Sequence, residues 1–238
     1  MSTGTVPADD QLAEPPGRAT TGPSRPVFWK RPWIIPLALV VLGFLVYQLS
    51  PFRELNEAKA PIPPHDGFPL YWPLLLTHMF FGTVTMVLVV FQLWPWMRTN
   101  HPKFHRASGR IYVVSAVICG ICGLAIVRFA PVVGQIGVSV ATISWVAVTV
   151  TAFVRARQRK FAKHRRLMLY SFAILMNNVW GVVLANILFA VPGLDMLYIF
   201  EAVRWVGFVV NMYLVQWWIY RTENRADIRR WRRAEATA

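Results

Sequence analysis

The chain has 238 residues, of which 55% are hydrophobic and 15% charged, and a formal net charge of +14. This composition excludes an ordinary soluble domain, and the apolar residues fall in blocks between short basic strips. The charge by itself would suit nucleic acid, but its placement makes that reading unnecessary.

Residues 1–26, rich in Thr, Pro, Gly and acids, lack apolar periodicity and read as disordered. The strip "PVFWKRPW" then supplies tryptophan and cations suited to a headgroup layer. A helix crossing the hydrocarbon layer needs about 20 mostly apolar residues. Six segments satisfy this, at 33–50, 71–96, 110–130, 135–154, 167–190 and 197–219. The expected fold is therefore all-α, a polytopic six-helix membrane bundle. The domain reading is a tail at 1–32, a transmembrane domain at 33–220 and a basic tail at 221–238. The first span has a long polar lead and no small-x-small site after it, so it reads as an uncleaved anchor.

Of the 25 cations, all except Arg53, Lys59, Arg128 and Arg204 fall on one side of a six-span arrangement. The positive-inside rule then places both termini in the cytoplasm, with the basic rim against anionic headgroups. On the other side, residues 51–70 form one sizeable loop whose "APIPPHDGFP" is too proline-rich for helix or sheet. Pro102 suits the first position of a helix, so span three begins there and His105 sits in its first turns. The tail "ADIRRWRRAEATA" reads as a surface helix with Ile228 and Trp231 dipping into the membrane, or equally as a solvated basic tail.

Polar residues inside the spans recur every seven positions, a spacing that keeps them on nearly one helical face. On span two they are His78, Thr85 and Gln92, with Gly82 on the same side. On span three they are His105, Tyr112 and Cys119. Span four adds Thr142 and Thr149; span five has His164, Ser171 and Asn178, with Asn186 near the same line. On span six, Arg204 and Asn211 are seven apart and Glu201 lies one turn before Arg204. Two readings stay open. Small and polar residues at this spacing are how membrane helices pack and hydrogen-bond. An ionisable group within a span is also a functional-site candidate. His78, Asn186, Glu201 and Arg204 form a candidate cluster near the outer boundary. His105 and His164 form a matching pair near the inner one.

Two imidazoles from different helices are an axial set for haem iron, with nearby arginines suited to the propionates. They also suit another transition metal, or a purely interfacial role beside Arg106 and Arg165. Cys119 and Cys122 form "CGIC", but a thiolate is disfavoured in lipid, and Gly123 stands where covalent haem attachment needs histidine. Phosphate-loop, nucleophile-elbow and H-E-x-x-H patterns do not occur.

Several motifs in order carry a resemblance. His78 and Gly82 form "H-x-x-x-G" leading to Phe91 and Gln92, followed by "HRASGRIYV" from His105, Trp145, "HRRLM" from His164, and Asn211 with Trp217. Over about residues 70–220 the chain resembles the bacterial membrane-protein family catalogued as domain of unknown function 2306. That resemblance implies a polytopic membrane fold and no particular activity. Leu167, Tyr170 and Asn177 stand where the family often has tryptophan and arginines, so roles of those residues do not carry over. The chain is less closely similar to cytochrome b561-type bundles, which hold two haems between four membrane histidines. Only His78, His105 and His164 are placed for that here, which implies one haem b at most.

Three functions of different class remain open: a redox protein holding one haem b or a quinone, a transporter or small-molecule-binding protein with a polar interior, and a non-catalytic accessory subunit. The last would need a membrane partner or a homo-oligomer.

Overall fold

The computed structural model describes residues 33–62, 65 and 67–236. The expectations for the amino-terminal tail and for Pro63, Pro64 and Asp66 lie outside the described residues. Nine α-helices are described: α1 (Ile34–Leu49), α2 (Tyr71–Leu93), α3 (Pro95–Asn100), α4 (Pro102–Ile126), α5 (Gln135–Arg157), α6 (Phe161–Leu175), α7 (Asn177–Phe189), α8 (Met196–Thr222) and α9 (Ala226–Ala236). Short 3₁₀ turns extend α1 to Phe52 and α4 to Phe129, and a third spans Glu57–Lys59. No strand occurs among the described residues.

Six stretches are long and apolar enough to cross a membrane: Ile34–Phe52, Tyr71–Leu93, Pro102–Phe129, Gln135–Arg157, Phe161–Phe189 and Met196–Thr222. Each carries large exposed apolar side chains, such as Leu39 and Val46 on α1 or Val209 and Tyr213 on α8. In lipid these faces need no covering, while the backbone bonds are satisfied within each helix. The protein is thus a multi-pass, all-α membrane protein.

Local chemistry sets the ends of the helices. Trp94 leaves the helical region and Pro95 opens α3, so the second span stops at Leu93, three residues short of the expected 96. His101, at φ −125° and ψ 59°, is pushed out of the helix by Pro102, which begins α4 as expected. Gly134, at φ 91°, makes the left-handed entry into α5. Arg159 takes φ 59° in the tight turn that folds α6 back along α5.

The fifth span departs from expectation. It is a single apolar block in sequence, yet it is two helices that meet at Met176. The carbonyls on the open side of the break find side-chain donors: Asn211 Nδ2 reaches Ala173 O at 2.9 Å, and Asn178 Nδ2 reaches Leu175 O at 3.1 Å. Such substitution is what makes an interrupted helix tolerable at membrane depth.

The spans share one core. Val41 of α1, Met86 and Val89 of α2, Tyr112, Ala116 and Cys119 of α4, Trp145 of α5, and Ile174 and Leu175 of α6 pack together, with Val179 of α7 and Phe208 of α8 against them. α2 packs mainly on α4, and α5 on α6, with α7 on α8. α1 closes the bundle by touching both α2 and α7.

Candidate functional site

The seven-residue stripes of α2 and α4 face each other. His78 donates from Nδ1 to Cys119 O at 2.9 Å, with the Cys119 sulfur 3.4 Å from the same nitrogen. A methyl group on Gly123 would come within 2.9 Å of that imidazole, so the glycine makes room for the ring. Thr85 is fully buried and its hydroxyl bonds back to Gly82 O at 2.7 Å. Gln92, at the other end, donates to Ser108 Oγ at 2.7 Å and to His105 O at 3.1 Å. His78, Thr85 and Gln92 thus run along one seam, and each is engaged there.

A second polar group lies at the centre of the bundle. Ser171 Oγ is 2.8 Å from Tyr112 Oη and 2.6 Å from Thr149 Oγ1, and Trp145 donates from Nε1 to Tyr112 Oη at 3.3 Å. Tyr112, Thr149 and Ser171 are wholly inaccessible. This closed cluster ties α4, α5 and α6 together and leaves its hydroxyl groups paired.

At the far end, remote from the basic strips, the expected gathering does not form. Glu201 accepts from Trp205 Nε1 at 2.5 Å, one turn along its own helix, and no salt bridge joins it to Arg204 among the described residues. Arg204 packs its aliphatic stem on Gly134 and Gly137 of α5. Asn186 is exposed and shares hydrogen bonds of 3.2–3.3 Å with Tyr47 of α1. His78 belongs to the seam with α4. Helical phase gave the level of these groups but not the direction of each side chain.

The break at Met176 also redistributes the asparagines. Asn178, expected on the inward stripe, is exposed, and Asn177 faces α8 instead, donating to Arg204 O at 3.4 Å. The physical reason is the lost register at Met176, which rotates α7 relative to α6. Asn211 is buried as the stripe implied, bonded to Ala173 O and accepting from Trp180 Nε1 at 2.9 Å.

The basic end holds the remaining group. His164 donates from Nδ1 to Ala152 O of α5 at 2.9 Å. That bond fixes the tautomer and leaves Nε2 with its lone pair. His105 is half-buried, and its Nδ1 is buried with no hydrogen-bond partner among the described residues. The two imidazoles are near enough to interact electrostatically, and both feel the charge of Arg98 from α3. Arg98 in turn lies over the Trp231 ring, 5.5 Å from its centroid. Arg98, Trp180 and Asn177 were not singled out as site residues from sequence. The only prior sign of Arg98 was its membership of the basic strip.

Among families of known sequence pattern, the predicted membrane protein family DUF2306 matches residues 75–219. The chain belongs to DUF2306. The DUF2306 region runs from within α2 to within α8, so it contains both seam partners, the hydroxyl cluster and the imidazole pair. α1 and α9 lie outside it. No curated protein and no solved structure matches the chain.

Proposed function

We propose that this DUF2306 chain is a redox protein of the bacterial cytoplasmic membrane, with both termini cytoplasmic, whose working centre is the pair His105 and His164. The observation that carries this reading is the buried Nδ1 of His105, which lacks a hydrogen-bond partner among the described residues although Gln92 and His164 beside it are bonded. A buried nitrogen left unbonded is costly, and such exceptions in a native fold call for an explanation. His164 complements it. An imidazole whose Nδ1–H is anchored on a backbone carbonyl presents a correctly oriented Nε2, the arrangement typical of metal-ligating histidines.

The donor set favours haem over a bare ion. Among the described residues no group of three or more His, Cys, Asp or Glu could hold a metal ion, whereas haem would need only two nitrogen ligands from the protein. His105 and His164 would supply them, with Arg98 and Arg106 beside the propionates. Haem b held in this way supplies reversible one-electron transfer. The far-end polar groups are each engaged by a different element, which gives the transport reading less support.

The same unpartnered Nδ1, carrying its proton, also suits the carbonyl oxygen of a quinone, and this is the second reading. An absorbance spectrum separates the two. The full chain, produced with haem precursor supplied, is expected to show a Soret band and a reduced-minus-oxidised difference. His105→Ala and His164→Ala should each abolish both while keeping the size-exclusion profile. A featureless spectrum with co-purified quinone that either substitution removes would favour the second reading. A featureless spectrum with no bound quinone would refute both.

A further inference from the structure

Helix α9 has two opposed faces. At 100° per residue, Ile228, Trp231 and Glu235 fall together, while Ala226, Arg229, Arg230 and Arg233 fall on the other side. The first face is spent on the protein. Ile228 is 5% exposed, Arg98 of α3 lies over Trp231, and Glu235 Oε1 accepts the Ala162 N–H in the first turn of α6 at 2.6 Å. Glu223, just before α9, is paired with Arg232. The apolar side chains of the tail are therefore docked on the bundle and are not dipped into lipid.

With that face committed, the arginine face is the one that looks outward. Arg229 and Arg230 are exposed, and with Ala226 and Arg233 they line one open basic surface of α9. We infer that this surface is a binding site for acidic phospholipid headgroups. Guanidinium groups present paired N–H donors that match phosphate oxygens in geometry and in charge. Only Glu223, Asn224 and Arg225 separate α9 from the membrane-spanning α8, so the site is held at the bilayer surface. There phospholipid is abundant, and an anionic leaflet attracts each nearby arginine. The inference is independent of what the imidazole pair binds.

The test uses the full chain in neutral detergent. Dioleoyl phosphatidylglycerol and dioleoyl phosphatidylcholine are added in separate arms, and retained lipids are counted by native mass spectrometry. Wild type is expected to retain the acidic lipid about tenfold or more over the neutral one. R229Q/R230Q/R233Q should bring the two near parity, and R229Q and R230Q alone should each cause part of the loss, which covers misfolding of the triple variant. R232Q, which alters an arginine bound to Glu223, should keep the preference. Parity in wild type, an unchanged preference in the arginine variants, an equal loss in R232Q, or full displacement of the lipid by excess inorganic phosphate would each overturn the inference.

Discussion

Gly123 has no side chain, and the His78 imidazole occupies the space that one would take. Gly123→Ala must displace a ring held by Cys119 O, and overpacking of that kind costs about 1–3 kcal/mol. Gly109 makes a useful contrast. A methyl group there meets only the end of the Gln92 side chain, at 3.3 Å, and a small shift relieves it. Thermal unfolding in detergent should therefore show a clear loss for Gly123→Ala and little change for Gly109→Ala. At the bundle centre, Ser171→Ala removes an oxygen shared by Tyr112 and Thr149 and leaves the Tyr112 hydroxyl with Trp145 Nε1 alone. The expected loss is about 1–2 kcal/mol, measured in the same way. Spacing marked His78, Thr85, Gln92 and Ser171 because a seven-residue repeat holds a face wherever the helix stays regular. It could not reveal that Glu201 turns to Trp205 or that Asn186 reaches Tyr47, since those choices depend on rotamers and on a neighbouring helix.

At the scale of the element, the informative feature is the junction of α6 and α7. Neither proline nor glycine marks it; Met176 is followed by Asn177 and Asn178, whose amides compete for backbone groups. The break was therefore not legible in the sequence, whereas the start of α4 was announced by Pro102; the end of α2 before Pro95 was missed. Asn211 supports the junction from α8 by serving both Ala173 O and Trp180 Nε1. Asn211→Leu should then destabilise the protein by about 1–2 kcal/mol, and Asn178→Leu, at an exposed position, by less. Equal losses in a denaturation series would contradict this account of the junction.

At the scale of the whole molecule, apolar blocks of membrane-crossing length made the six spans readable, because a bilayer sets a minimum run that few other environments demand. Which spans touch was less readable. Short connections favour packing between sequence neighbours, and α5 with α6 follows that rule, but α1 also meets α7. The charge distribution argues for both ends on the cytoplasmic side. A carboxyl-terminal green fluorescent protein should fluoresce, and alkaline phosphatase at the same place should be inactive; the reverse pattern would invert the topology. The interrupted fifth span also bears on hydrophobic mismatch. As an unbroken rod its 29 residues would measure about 43 Å, against roughly 30 Å of hydrocarbon. Jointed at Met176, it becomes two rods of 15 and 13 residues, and their mutual tilt can follow the thickness of the host bilayer.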